Sequence, residues 1–597
     1  MKNKKYNPLP FGVSEFSRIR KNNCYFIDKS SYIKMVFEYS SSFILFARPR
    51  GFGKTLLMDM FASFLTIAED GNDNKEFKEK IFYGLEILKD KEFTDKYLGQ
   101  FPVIVTSLKS AYGENFEQAY DSLARIVVWL FSDFDFLLNS KNLSKDEIEN
   151  YSKYLDRGFL CDINSIGYVK DALEFLSTCL YKHYKKKVIL LIDDYDMPLA
   201  KAYVNGYHNE MLTLMSSFFN VMENNHQDTE GYENPIEKII LTGWLNADLS
   251  VANNISVDTI LSDNQIFDSM LGFSKEETEK ILKDHDLYEY FPLVKKNYGG
   301  YMFNEQEMFS PFNIISFVHD ALMHKSQGYK VYAPNFWINS ASSDALLPYV
   351  GYLIQNDTEN MQKLMDGECI ETTMNDSLNY ADLAKPASNN FYALLYYLGY
   401  LTVDGNRTEE IAGEKKTIYK IRIPNLEIKH SFVQTIEEHF YNIVNQGENK
   451  ATIVAKALFE ENCECAKNNI FDLLQTYVSI RDKASKQKPK NFYKAFLSDV
   501  FKKCSSFISD FKTNCESDDI CADLLFMDNC GNTGVIIEIN VANSDRTLET
   551  TAFDALKQIE EKGFARSYIS YPFLDSVYCY GISFYKRLCY ISCKKIK

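Results

Sequence analysis

Short apolar runs alternate with longer amphipathic segments through the first half of the chain. The uncharged residues 42–47 and three similar runs further on have the pattern of strands that are buried on both faces. Helical periodicity fills the segments between them, and parallel strands need connections of that length. The alternation therefore predicts a parallel α/β domain over roughly the first 270 residues. The three further runs are residues 101–107, 187–196 and 238–243.

The first of these strands runs into a turn that is rich in glycine and basic residues. Gly51 and Gly53 allow backbone N–H groups to close around phosphate oxygens, and an apolar-striped helix follows. Lys54 can neutralise terminal phosphates, and Thr55 can ligate Mg²⁺. This order predicts a cradle for a nucleoside triphosphate, formed by Arg48, Pro49, Arg50, Gly51, Phe52, Gly53, Lys54 and Thr55.

The spacing of this turn matches the usual phosphate-binding loop only in part. That loop begins with a glycine five residues before its second Gly, and here the position is Arg48. An ordinary strand-turn-helix in which Gly-Lys-Thr occurs by chance is therefore the alternative to a nucleotide site.

The apolar run at 187–196 ends in acidic residues and favours the nucleotide site. The carboxyl end of a buried strand can deliver Asp193 to a Mg²⁺ ion and Asp194 to an attacking water. The next strand, at 238–243, offers Thr242 as a polar sensor of the γ-phosphate. A buried strand that meets an Asp-rich turn is the simpler interpretation of this stretch alone. Together with the glycine loop, it predicts ATP and Mg²⁺ as ligands.

Composition narrows the classes of protein that this chain can be. It has 597 residues, of which 46% are hydrophobic, and a net charge of −16, which indicates several globular domains. This charge argues against a surface that binds nucleic acid throughout, although a local basic groove is compatible with it. A Lys-rich segment follows Met1, and no apolar stretch reaches the roughly 18 residues that cross a bilayer. We therefore expect a soluble, intracellular protein without a membrane partner.

A second acidic cluster lies near the C-terminus. Asp523 begins one apolar run and Glu538 lies within the next, so a hairpin would let them share a divalent metal. A metal-dependent nuclease needs a lysine two residues beyond this Glu to activate water, and here the residue is Asn540. Lys557 or Lys562 on the following helix can supply the charge from another direction. A charged sheet edge is the alternative interpretation of the acidic pair.

Motifs in one order along the chain resemble the AAA-ATPase-like family, whose members often carry a C-terminal domain similar to PD-(D/E)XK nucleases. That family's loop also begins with Arg-Pro-Arg, so Arg48 agrees with its pattern. The resemblance implies a P-loop NTPase fold that uses ATP and Mg²⁺. It rests on Leu-Pro-Phe-Gly at 9–12, Phe-Ile-Asp-Lys at 26–29, Arg-Pro-Arg-Gly-Phe-Gly-Lys-Thr at 48–55, Leu-Ile-Asp-Asp-Tyr-Asp-Met-Pro at 191–198, Leu-Thr-Gly at 241–243 and Gly-Phe-Ser-Lys-Glu-Glu at 272–277.

Several positions near the expected nucleotide depart from the family's pattern. The usual Asp-Glu pair is Asp193-Asp194, a basic residue after Thr-Gly is Asn246, and the arginine of Gly-Tyr-Arg-Phe is Met302. A lost arginine removes a positive charge that can stabilise the transferring phosphate. Nucleotide binding is therefore better supported than turnover.

C-terminal positions also depart from the family's pattern, and they affect the nuclease activity that the resemblance implies. Gln558 follows the family, but Lys494 replaces a common His, and Phe564 replaces the usual Tyr. An amide at Asn540 cannot act as the cation that activates water, so we expect a degenerate nuclease-like domain. The residues that the resemblance places in its catalytic site are Asp523, Glu538, Asn540 and Gln558, with Asp523 and Glu538 as metal ligands.

These observations predict an α/β chain with four regions. The leading hypothesis is an ATPase that couples its nucleotide state to the nuclease-like domain. One alternative is a non-catalytic switch or scaffold that binds nucleic acid or protein, and a second is an active Mg²⁺-dependent DNA nuclease. DNA or RNA would contact the C-terminal half, and the oligomeric state is left open. The regions are a P-loop NTPase domain at 1–280, a helical lid or connector at 281–384, a winged-helix-like module at 385–450 and a restriction-endonuclease-like α/β domain at 451–597.

Overall fold

In a computed structural model, the chain folds into two compact units. The first unit comprises Met1–Leu346 and Cys369–Ser431, and the second comprises Leu347–Glu368 and Phe432–Lys597. The division into four regions stays a prediction. The structure describes residues 6–69, 75–222, 234–245, 256–258, 265–336, 357–375, 378–383, 387–411, 414–432, 448–484, 489–502, 504, 507–513, 522–563, 574–585 and 588–597.

Helices and strands alternate along most of the described chain. In chain order, the α-helices are α1 (Phe16–Lys21), α2 (Ser31–Glu38), α3 (Lys54–Leu65), α4 (Lys75–Phe82), α5 (Lys91–Tyr97), α6 (Phe116–Ser132), α7 (Lys145–Leu155), α8 (Arg157–Leu160), α9 (Ile166–Tyr184), α10 (Met197–Asn205), α11 (His208–Phe218), α12 (Lys275–Asp284), α13 (Phe291–Tyr298), α14 (Pro311–Ser326), α15 (Thr358–Asp366), α16 (Tyr380–Leu383), α17 (Ser388–Tyr397), α18 (Glu448–Phe459), α19 (Cys463–Ala484), α20 (Pro489–Lys502) and α21 (Leu548–Glu561). The strands are β1 (Phe43–Ala47), β2 (Val103–Ser107), β3 (Val188–Asp193), β4 (Ile236–Gly243), β5 (Ser256–Asp258), β6 (Phe273–Ser274), β7 (Tyr301–Phe303), β8 (Gln306–Phe309), β9 (Ile370–Thr372), β10 (Thr402–Ile411), β11 (Glu414–Arg422), β12 (Ile508–Thr513), β13 (Leu524–Asp528), β14 (Thr533–Val541), β15 (Ser576–Tyr585) and β16 (Leu588–Lys595).

Five parallel strands form the central sheet of the first unit, in the order β2-β3-β4-β1-β5. Strands β1 and β3 are buried along their whole length, as their uncharged apolar runs predicted. The expected parallel α/β sheet is thereby confirmed. The run predicted from residue 101 starts as a strand only at Val103, because Phe101 instead forms an isolated bridge with Thr66.

The sheet order brings the ends of three strands together. Strand β4 lies between β3 and β1, with Gly243 opposite Ala47 and Leu241 opposite Ile192. Parallel strands end at the same edge of a sheet, so the residues that follow β1, β3 and β4 lie side by side. The glycine loop and the acidic residues, which are far apart in sequence, are neighbours for this reason.

Helix α3 holds one end of the glycine loop against the sheet. Leu57, Phe61 and Phe64 are buried in a core that also contains Ile44 of β1 and Leu191 of β3. Each large apolar side chain that is fully buried contributes about 1.5–3 kcal/mol. The loop is therefore fixed at both ends by packed elements.

Two smaller antiparallel sheets complete the first unit. Strands β6, β8 and β7 form one of them, in that order, and β10, β11 and β9 form the other. The helical lid or connector predicted at 281–384 contains α13, α14 and α16 together with β7, β8 and β9 in the first unit, whereas its α15 belongs to the second unit. Residues 337–356 lie outside the described part of the chain.

The second unit is built on a mixed sheet in the order β12-β13-β14-β15-β16. Strands β14 and β15 are parallel and the other pairs are antiparallel, and α21 makes the connection between β14 and β15. Buried side chains of α18, α19 and α20 pack with the sheet in one core. In the described part of both units, no helix combines the length and apolar character that crossing a membrane requires.

Candidate functional site

Two glycines shape the loop between β1 and α3. Gly51 has φ +81° and Gly53 has φ +95°, in the region that L side chains rarely adopt. A Cβ atom at Gly51 would lie 2.8 Å from the Oγ of Ser310, whereas one at Gly53 would meet nothing within 4 Å. The loop thus needs Gly51 both for its backbone angle and for space, and it needs Gly53 for the angle alone.

The loop lines a cavity of about 410 Å³ at the N-terminus of α3. Residues 50–55 all contribute to this lining. Among the described residues, none accepts a hydrogen bond from the backbone N–H groups of residues 51–55. Unpaired amides at the positive end of a helix form an anion site. The backbone amides of residues 51–55 can therefore donate hydrogen bonds directly to phosphate oxygens.

Lys54 lies beneath the loop with 7% of its surface exposed. Its Nζ atom donates to the carbonyl oxygens of Arg48 at 2.7 Å and Pro49 at 3.1 Å. Burial lowers the pKa of Lys54, and the carboxylates of Asp194 and Asp193 oppose this change. Lys54 also lines the cavity, so its ammonium group can contact a phosphate that binds there.

Asp193 connects the loop to two strands. Its Oδ2 atom accepts the hydroxyl of Thr55 at 2.6 Å. Its Oδ1 atom accepts the hydroxyl of Thr242, and also the backbone N–H of Asp194 at 3.1 Å. The structure therefore brings Thr55, Asp193 and Thr242 together. A hydroxyl beside a carboxylate suits Mg²⁺, which takes one or two protein oxygens and completes its shell with phosphate and water.

Asp194 differs from its neighbour because it lines the cavity. It adopts φ +51°, a left-handed conformation that Asp tolerates better than most residues. Burial and the adjacent Asp193 raise the pKa of Asp194 to about 6. A carboxylate with a pKa near neutrality is suited to accept a proton from water.

Two residues of this region were missed by the sequence reasoning. Asp196 is 2% exposed and accepts the backbone N–H groups of Trp244 and Leu245, both at 2.9 Å. It joins the segment after β3 to the segment after β4. Lys109 follows β2 and lines the cavity with Asp194. The order of strands was the missing information, since Ser107 of β2 pairs with Asp193.

Some predicted nucleotide contacts lie away from the cavity. The Arg48 side chain is 1% exposed, donates to the carbonyl of Ala47 at 3.1 Å and lies over the ring of Phe303. Thr242 is fully buried and reaches the site through Asp193. Within the described residues, Arg48, Pro49, Thr242 and Met302 do not line the cavity. Asn246 lies outside the described residues.

The rest of the cavity lining is mainly apolar. It suits a flat, weakly polar group such as a nucleobase, with the phosphates directed at the loop. Lys29 also lines the cavity, and it already pairs with Glu277 at 2.7 Å. The apolar lining includes Phe11, Val13, Phe26, Ile27, Met270, Phe273, Phe312 and Ile315.

Comparison with known proteins identifies a family for the segment that carries this site. Residues 10–248 match the model of the AAA-ATPase-like family, described as a predicted AAA-ATPase. The matched part of this chain is AAA-ATPase-like. It contains the glycine loop, the acidic strand end and Thr242, and so confirms this part of the expected fold. The family match ends at residue 248, and the nuclease-like identity of the C-terminal part stays a prediction.

A curated relative matches a longer part of the chain. It is an uncharacterized protein in the vnfD 5′ region of Azotobacter chroococcum mcd 1. The two are 21% identical over 442 residues, which cover 72% of this chain and 69% of the relative. The similarity therefore extends beyond the AAA-ATPase-like segment.

The predicted acidic pair of the second unit is also brought together. Asp523 and Glu538 are buried, and the backbone N–H of Asp523 donates to the Oε2 atom of Glu538 at 3.2 Å. Two lysines of α20 contact the pair: Lys490 reaches both carboxylates, and Lys494 reaches Asp523. The sequence had indicated Lys557 or Lys562 as the source of this positive charge instead.

The other predicted residues of this site are less closely involved. Among the described hydrogen bonds, none joins Asn540 or Gln558 to the acidic pair. Lys557 pairs with Glu561 on its own helix at 3.3 Å. Phe564 lies outside the described residues. A metal at the acidic pair and catalytic roles for Asn540 and Gln558 stay predictions.

Proposed function

We propose that the chain is an ATPase that binds ATP·Mg²⁺ at the glycine loop and couples nucleotide state to its second unit. The observation that carries the proposal is the 2.6 Å hydrogen bond between Thr55 and Asp193. These residues are 138 positions apart, and they join the start of α3 to the carboxyl end of β3. The arrangement supplies a hydroxyl and a carboxylate at the mouth of a phosphate-binding loop.

Each group of the site has a defined part in nucleotide binding. The amides of residues 51–55 would bind phosphate oxygens, and Lys54 would neutralise the terminal phosphates. Thr55 and Asp193 would hold Mg²⁺, which when bound neutralises charge on the phosphates. The donated proton of Thr55 leaves its oxygen lone pairs for a cation. The apolar residues that line the rest of the cavity would contact the base.

Turnover would depend on Asp194 and Lys109. Asp194 lines the cavity and has a raised pKa, which suits it to orient and deprotonate the attacking water. Lys109 is exposed and lines the same cavity. Its ammonium is available for the charge that develops on the transferring phosphate, which Met302 cannot supply.

The second unit would respond to nucleotide without cutting nucleic acid. Asn540 stands where a nuclease-like domain needs a lysine, and this supports a degenerate member of that class. Met302 and Asn540 also favour a second candidate function, in which the chain is a non-catalytic switch or scaffold that binds nucleic acid or protein. Turnover of ATP, with and without DNA, separates the two candidates.

The proposal is tested with Thr55→Ala, with Thr66→Ala as the matched control. Thr66 follows the other end of α3, where its hydroxyl donates to the carbonyl of Ala62 at 2.7 Å. Loss of Thr55 removes a ligand of a charged ion, so ATP affinity in Mg²⁺ should fall about 10- to 100-fold. Affinity in EDTA should change much less. The measurement is calorimetric titration with ATP, and wild-type affinity for Mg²⁺·ATP in Thr55→Ala would refute the proposal.

A further inference from the structure

Every carboxylate oxygen of the acidic pair in the second unit already accepts a hydrogen bond. The Oδ1 atom of Asp523 accepts Lys494 Nζ at 3.0 Å, and Oδ2 accepts Lys490 Nζ and the backbone N–H of Ile539, both at 2.9 Å. The Oε1 atom of Glu538 accepts Lys490 Nζ at 2.9 Å, and Oε2 accepts the backbone N–H of Asp523 at 3.2 Å. Lys490 thus lies between the two carboxylates.

Burial makes this neutralisation energetically important. The side chains of Asp523 and Glu538 are 10% and 4% exposed. Burial and Asp523 raise the pKa of Glu538, whereas Lys490 lowers it. Two lysines and two carboxylates sum to zero charge. Removal of one partner from a buried ion pair is strongly destabilising, because the other charge is left uncompensated.

The two lysines reach the pair because they lie on one face of α20. They are four residues apart, which places them one above the other on a helix. Pro489 begins the helix just before Lys490 and suits the first helical position. The first two turns of α20 therefore present both ammonium groups to the acidic pair.

These residues do not fit a divalent cation as they are arranged. Mg²⁺ binds carboxylate oxygens at about 2.0–2.1 Å and demands near-ideal octahedral geometry. Lys490 Nζ occupies the position between Asp523 Oδ2 and Glu538 Oε1, where a shared metal would have to be. A metal and an ammonium would also repel each other at this distance.

We propose that Lys490 is the resident cation of the Asp523–Glu538 pair, supported by Lys494, so that this pair is independent of metal in the native protein. Metal-dependent hydrolysis at the pair is therefore not expected of the second unit. Neutral side chains at both lysine positions should convert the pair into a divalent-cation site. The inference does not depend on ATP binding by the first unit.

The experiment measures Mn²⁺ binding by electron paramagnetic resonance in the full-length protein without nucleotide. Five proteins are compared: wild type, Asp523→Asn, Lys490→Met/Lys494→Met, the same double variant with Asp523→Asn, and Lys557→Met. Lys557→Met is the control because this exposed lysine pairs with Glu561, away from the acidic pair. Circular dichroism establishes that each variant is folded.

The double variant should gain one Mn²⁺ site with at least about tenfold higher affinity than any Asp523-dependent binding in wild type. The added Asp523→Asn should abolish that gain, and Lys557→Met should behave as wild type. A folded double variant without the gain would overturn the proposal. Mn²⁺ binding in wild type that disappears with Asp523→Asn alone would also overturn it. This last comparison needs no lysine variant, so it stands even where the double variant fails to fold.

Discussion

Replacement of Lys54 by methionine tests the phosphate site most sharply. Met keeps the length and apolar stem of the side chain but removes the ammonium that donates to the carbonyls of Arg48 and Pro49. Burial lowers the pKa of Lys54, so its charged form costs stability in the protein without nucleotide. We expect Lys54→Met to fold, and to lose affinity for ATP.

The size of that loss follows from the environment of the ammonium. Two unit charges 4 Å apart at an effective dielectric constant of about 20 attract by about 4 kcal/mol. The Lys54 ammonium has three donors and two carbonyl partners, so it gives up one partner to bind a phosphate fully, at a net cost of about 1.5–3 kcal/mol for a hydrogen bond of a charged group. A remainder of about 1–2.5 kcal/mol corresponds to roughly 5- to 70-fold weaker binding.

The assay is calorimetric titration of each protein with ATP in the presence of Mg²⁺. Lys78→Met is the matched control, because Lys78 is also buried and its Nζ donates to the carbonyl of Ser63 at 2.6 Å. Lys78 does not line the cavity, so its replacement should leave ATP affinity unchanged. ATP should raise the melting temperature of Lys78→Met as it does that of wild type, and have little effect on Lys54→Met. Equal losses of affinity in the two variants would refute a phosphate role for Lys54.

Two further predictions concern the same site. Because burial and Asp193 raise the pKa of Asp194 to about 6, its carboxylate forms as pH rises through about 6, and ATP turnover should rise with it. Asp194→Asn should abolish turnover and keep Mg²⁺·ATP binding. This variant should also have a higher free energy of unfolding than wild type above about pH 6, where burial penalises the charged Asp194. The difference in stability should disappear in acid, where Asp194 is protonated. A flat pH–rate profile would contradict this role. Gly51→Ala should destabilise the protein by about 1–3 kcal/mol more than Gly53→Ala in denaturant unfolding, since only a Cβ at Gly51 meets Ser310. Ser310→Ala should recover part of that difference, and equal losses without recovery would contradict the steric reasoning.

The candidate site around the glycine loop was largely predictable because its determinants are local. An uncharged strand, Gly51 and Gly53 in the turn that follows it, and a Lys-Thr pair predict the loop from adjacent residues, although Arg48 replaces the usual first glycine. Asp193 could be assigned to the same site because parallel strands end at one edge, whatever their order. The contact between Thr55 and Asp193 needed only this rule.

Asp196 and Lys109 could not be found in this way, because their positions depend on which strands are neighbours. Lys109 approaches Asp194 since β2 pairs with β3. Asp196 accepts amides of residues 244–245 since β3 pairs with β4. Strand order is decided by the packing of the whole sheet, and hydrophobic periodicity carries no information about it.

The cation that neutralises the acidic pair could not be predicted from neighbouring residues either. The residue two beyond Glu538 is Asn540, so the sequence indicated Lys557 or Lys562 as the source of the positive charge. A buried carboxylate pair needs compensating charge from some direction, and the cost of leaving it unpaired is independent of where the cation originates. Lys490 ends the Lys-rich segment at 483–490, whose composition is typical of a solvated linker, yet the first turn of α20 brings Lys490 to both carboxylates. The pair thus retains a cation without a lysine at position 540, and the cation it retains excludes a metal.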